Sequence, residues 1–188
     1  MTGPSLDARS AAADRREDTD GAEAAVVAVG NPIMGDDGVG KRVIEALESS
    51  SDDRTNGVLL THAGTTAFFA LEAMSGCQKA IVVDAIETGA EPGTVHRYRY
   101  VDGAFAGEVP EMTMHDFSFA EALRAGRDAY DIPEDLLVVG VEPARIEATL
   151  ELSDRIERSV PELVELVLEE LKPEERTEQR TSTANPQD

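Results

Sequence analysis

Apolar positions along the chain fall into short runs separated by polar, glycine-containing stretches. Residues 24–29, 80–84 and 136–141 are near-continuous Ala, Val, Ile and Leu, the pattern of strands covered on both faces. Residues 58–62 read as a further strand. Residues 94–100 (Thr-Val-His-Arg-Tyr-Arg-Tyr) alternate instead, which predicts an edge or half-exposed strand. Between these runs, residues 38–49, 66–74, 117–125 and 155–171 carry helical patterns. The last sets Ile156, Val160, Leu163, Val164, Val167, Leu168 and Leu171 on one face. Strands alternating with helices predict an α/β three-layer sandwich: a mostly parallel five-stranded sheet with helices on both faces.

Outside this pattern lie two polar ends. Residues 1–22 and 173–188 have no sustained apolar face and read as disordered tails around one α/β domain spanning 23–172. The longest apolar runs are strand-sized, so no membrane span is expected. No basic-then-apolar leader opens the chain, and Cys77 is the single cysteine. Together these predict a cytoplasmic protein without a disulfide framework, Cys77 being a small core thiol.

Charge changes the picture more. The chain has a formal net charge of −21, from 38 acids against 17 bases. Residues 1–22 hold five acids and three arginines, and residues 172–188 four acids and three bases, so the excess lies in the middle. Only Lys41, Lys79 and Lys172 are lysines. A carboxylate-rich, lysine-poor surface suits high salt, which points to a halophilic source, and it argues against nucleic acid as a partner.

Ligands of such sheets sit beyond the carboxyl ends of the strands. There the chain places Asp36 and Asp37 after the first strand, Asp84 at the end of the third, His115 after the fourth and Glu142 at the end of the fifth. The first of these turns, Gly30-Asn31-Pro32-Ile33-Met34-Gly35-Asp36-Asp37-Gly38-Val39-Gly40, is glycine-rich like a phosphate loop. Its two carboxylates would repel phosphate, and it has neither the Walker nor the GxGxxG spacing. Acids and a histidine converging on one edge suit a divalent transition metal instead. Each has a plainer reading: Asp36 or Asp37 as a helix cap, Asp84 as a turn residue, His115 as a cap, Glu142 as a loop brace. His62 and His96 are read as strand residues facing core or solvent.

In its motifs the chain resembles the nickel–iron hydrogenase maturation proteases. Gly30 to Gly40 matches their GNxxxxDDGxG element, and four weaker features follow in order: Gly64-Thr65, Val83-Asp84-Ala85 with Gly89 and Pro92-Gly93-Thr94, Met114-His115-Asp116, and Val139-Gly140-Val141-Glu142-Pro143. Thr113 stands where a Ser is commoner. The resemblance implies an endopeptidase that removes the C-terminal extension of a hydrogenase large-subunit precursor. It carries Asp37, Asp84 and His115 over as the catalytic, metal-binding trio, and Asp36 as a residue that orients the loop and caps the helix. The metal it implies is nickel supplied by the substrate, with another divalent transition metal as the variant, and the partner is that precursor, met by a monomer. Amides of the Gly35–Gly40 turn are expected to stabilise a developing oxyanion. Two alternatives stay open: a non-proteolytic, chaperone-like metal binder with the same fold, and a metal-dependent small-molecule hydrolase or nucleotide binder.

Overall fold

Strands that are apolar at every position need a layer against each face, and both layers are present. The computed structural model describes residues 22–101, 103–106, 113–114 and 117–172, with the backbone alone at 113–114 and 117–118. In it β1 (Ala24–Ala28), β2 (Val58–His62), β3 (Lys79–Ala85) and the later β8 (Asp135–Val141) run parallel, in the order β2-β1-β3-β8. Val27, Ala80, Val82, Leu136 and Val138 face one core, which is closed by α2 (Ala67–Met74) and α3 (Phe119–Gly126). Val26, Ala28, Ile81, Val83, Leu137 and Val139 face the other, closed by α1 (Val39–Glu48) and α5 (Val160–Glu170). The three-layer α/β architecture is the one expected from the pattern.

Among the described residues the sheet has six strands, one more than expected, and is mixed. The alternating segment forms β4 (Val95–Val101), antiparallel to β8 with Val95 opposite Val141 and Tyr100 opposite Leu136. A short hairpin partner, β5 (Ala104–Phe105), then forms the edge. Two residues carry too little pattern to be read from sequence.

Two helices differ from expectation. The stretch 155–171 is divided into α4 (Asp154–Glu157) and α5. Pro161 has no N–H to give the Glu157 carbonyl, so the helix restarts with the proline in its first turn. The helix expected from 117 begins at Phe119. Residues 117–118 form β7 (Phe117–Ser118), which pairs with β6 (Thr113–Met114), Met114 opposite Phe117. Residues 1–21 and 173–188, expected to be tails, lie outside the described residues. Among the described residues no helix is long and apolar enough to cross a membrane.

From β1 the chain crosses over α1 to β2 on one side, and β3 lies on the other side of β1. The crevice for a ligand therefore opens between the carboxyl ends of β1 and β3.

Candidate functional site at the β1–β3 switch point

Helix α1 must start tight against the sheet for its preceding turn to reach this crevice. Gly40 allows it: a Cβ there would lie 2.6 Å from the Val83 carbonyl oxygen and 2.9 Å from that of Val29. Residues 35–38 form a single 3-10 turn, three residues per turn, so consecutive side chains leave it about 120° apart. Asp36 and Asp37 consequently have separate fates.

Asp36 turns inward and is fully buried. Its Oδ2 accepts from the N–H groups of Ala144 and Arg145 and from the Ser153 hydroxyl, each at 2.9 Å; its Oδ1 accepts from the Ser153 N–H at 2.6 Å. The turn is stitched to the same loop through its backbone: Gly35 N–H donates to Thr149 O and Asp36 N–H to Arg145 O. Asp36 thus orients a loop, as the family resemblance implied, but that loop is 144–153, and it caps no helix. The same contacts narrow a second expectation, at the first two amides of the Gly35–Gly40 turn. The amides of Gly35 and Asp36 are engaged by carbonyls and are not donors for an oxyanion.

Asp37 stays half-buried, and its Oδ2 accepts from the Asn31 N–H at 2.8 Å. Asp84, at the carboxyl end of β3, is 7 % exposed, and its Oδ1 accepts from the Ala85 N–H at 2.9 Å. Burial, and then the charge of Asp37, push the Asp84 carboxyl up to about 8. Two carboxylates have been brought close enough at the switch point for the charge of Asp37 to act on Asp84. Such a pair suits a divalent metal ion, because charged oxygen donors and a positive ion remove each other's cost.

The third predicted member, His115, lies outside the described residues, as does Asp116. Among the described residues no cluster of three or more His, Cys, Asp or Glu side chains gathers at one point. The carboxylate pair is therefore the part of the predicted trio that the described structure brings together.

Glu142 takes its plainer reading. It is 5 % exposed, and its carboxylate braces the loop after β3 by accepting from the Thr88 N–H and hydroxyl, both at 2.8 Å, and the Gly89 N–H at 3.0 Å. Burial works to raise its pKa, and these hydrogen bonds override it and hold the carboxyl below its ordinary value. His96 Nε2 lies 3.6 Å from Glu142 Oε2, and its ring stacks on Tyr98. Cys77 is buried, which raises its thiol pKa, as fits a core thiol. His62 departs from its reading as a bland strand residue: its Nε2 lies 2.9 Å from the Gly30 carbonyl oxygen, in the turn that holds Asp37. The one signal available was its place at the carboxyl end of a parallel strand.

Known proteins that resemble the chain are hydrogenase-associated. The sequence pattern described as hydrogenase maturation protease matches residues 41–170. The chain is 30 % identical over 161 residues to the coenzyme F420 hydrogenase subunit delta of Methanothermobacter thermautotrophicus, covering 80 % of this chain and 95 % of that one. It is 29 % identical over 150 residues to the hydrogenase 2 maturation protease of Escherichia coli, covering 78 % and 89 %. The solved structure of the E. coli hydrogenase maturating endopeptidase HybD superposes with a TM-score of 0.64 at 29 % identity, over 79 % of this chain and 91 % of that one. With 130 consecutive positions inside the pattern and the fold matched as well, the chain belongs to the hydrogenase maturation protease family of enzymes.

Proposed function

We propose that this protein removes the C-terminal extension of a hydrogenase large-subunit precursor that already carries nickel, and that Asp37, Asp84 and His115 engage that substrate-borne metal. The observation that carries the reading is the coupled Asp37–Asp84 pair at the switch point, with Asp84 held at about 8 by burial and by Asp37. At neutral pH such an acid keeps a proton until a cation is delivered beside it, and a precursor without nickel delivers none. That electrostatics supports discrimination between loaded and unloaded substrate.

A divalent ion in this position supplies Lewis acidity toward a carbonyl or a water. The chain's own part is to hold the two carboxylates in register. The Ala85 amide fixes one oxygen of Asp84 and the Asn31 amide fixes one oxygen of Asp37. Asp84 would give its proton up to solvent once a cation is held beside it. Around the site Ile33, Ile146 and Leu150 are exposed on the two stitched loops, 59 %, 42 % and 77 % respectively. These apolar side chains offer a seat for the precursor.

The experiment is incubation of purified protein with nickel-loaded and nickel-free precursor, read by mass spectrometry. One cut in the loaded precursor and none in the unloaded one is expected. An intact loaded precursor, or equal cutting of both, overturns the reading.

A further inference from the structure

The Gly30–Asn31 peptide group touches two side chains, one at each end. Its carbonyl oxygen lies 2.9 Å from His62 Nε2, and its N–H donates to Asp37 Oδ2 at 2.8 Å. A carbonyl can only accept, so Nε2 of His62 carries the proton. An imidazole N–H, one amide and a carboxylate therefore stand in a single hydrogen-bonded line. In such a line each bond polarises the next: donation to the C=O makes the N–H of the same amide a better donor.

The amide is held for this task. Gly30 N–H donates to the Gly64 carbonyl at 2.9 Å, so Gly30 is clamped to the end of β2 by its own amide as well as by the His62 ring. Gly30 adopts φ +114°, and a Cβ there would lie 2.0 Å from the Asp37 carbonyl oxygen. Only glycine lets the peptide turn its N–H onto Asp37 at this separation. His62 reaches the peptide because β2 pairs with β1 in parallel, Ala28 opposite His62, which sets the ring beside the chain as it leaves β1.

We propose that His62 is a positioning residue for the cleavage site: through the Gly30–Asn31 amide it orients the Asp37 carboxylate toward the metal. The inference rests on the reading of Asp37 as a metal-facing carboxylate. It needs no direct contact between His62 and substrate, and it does not depend on a change in the charge of the ring. A glutamine side chain can present an N–H at a comparable distance, whereas leucine fills the space without a donor.

Three variants of the full chain test this. In the metal-free protein, hydrogen exchange of the Asn31 amide is followed by NMR. His62→Leu should speed it about fivefold, the worth of one lost hydrogen-bond contribution, and His62→Gln should restore it. Cadmium, used as the probe ion, is titrated by calorimetry. His62→Leu should weaken binding about tenfold, as loss of an outer partner of a ligand does, with recovery in His62→Gln. In precursor cleavage the loss should fall on kcat more than on KM. Unchanged Asn31 exchange in His62→Leu overturns the inference, and so does a loss that His62→Gln fails to repair. If Asp37→Ala abolishes cadmium binding while His62→Leu leaves it intact, the positioning role is overturned and the metal site stands. If Asp37→Ala binds cadmium as the parent does, the reading of the site itself falls, and the relay with it.

Discussion

Two buried carboxylates lie within a few residues of the same crevice, and they are treated in opposite ways. Asp36 is met by four donors, three of them backbone or hydroxyl groups at 2.9 Å, and stitches the turn after β1 to the loop after β8. Among the described residues Asp84 is given the Ala85 N–H and a second carboxylate for a neighbour. A buried charge with its lone pairs filled contributes to folding. A buried acid set against another acid costs stability, and such strain persists where it serves a site. Among the described residues the same division separates Glu142, saturated by the Thr88–Gly89 loop, from Asp37, held by the Asn31 amide. On the proposed reading, the acids saturated by donors build the crevice and the Asp37–Asp84 pair works in it.

Removing a satisfied acid should break that contrast most visibly. Asp36→Ala leaves the donors of Ala144, Arg145 and Ser153 without their partner. A loss of about 3–5 kcal/mol is expected, read as a fall of about 10 °C in the melting temperature. A shift of only a degree or two would remove the distinction.

A more gradual effect, spread over several pH units, sharpens it. Asp84 titrates near 8 when folded, against an ordinary 3.8. Between those values the folded state holds a proton that the unfolded state has given up. The metal-free protein therefore loses stability as pH rises through this window, by at most about 1.4 kcal/mol per pH unit. Urea unfolding at several pH values should show a slope in the parent that is shallower in Asp84→Asn. Equal slopes in the two proteins would show that Asp84 is not held in this way.

How much of this the sequence revealed depends on the range of the interactions. The doubly covered strands were legible because every residue from Ala80 to Val83 is apolar, and burial on both faces demands that. The alternation from Thr94 to Tyr100 marked a different strand, although its antiparallel direction is set by pairing with β8. The division of the last helix could have been read from Pro161. The placement of Asp84 and Asp37 at one edge followed from topology, since parallel strands bring their carboxyl ends together. The separate fates of Asp36 and Asp37 were not legible. Their neighbours in sequence are the same, and the choice is made by a loop more than a hundred residues away. His62 was missed for the same reason, its partner Gly30 being joined to it only by the β1–β2 register.

The most direct measurement is made on Asp84→Asn, with stability and precursor cleavage followed on the same sample at pH 8. Replacing an acid that is strained when charged by its neutral isostere should leave the metal-free protein at least as stable as the parent. Cleavage of nickel-loaded precursor should meanwhile fall by about a thousandfold or more, the equivalent of about 4 kcal/mol of lost transition-state stabilisation. Cleavage at the parent rate, or a variant that melts well below the parent, would mean that Asp84 holds up the fold and does not act in the site.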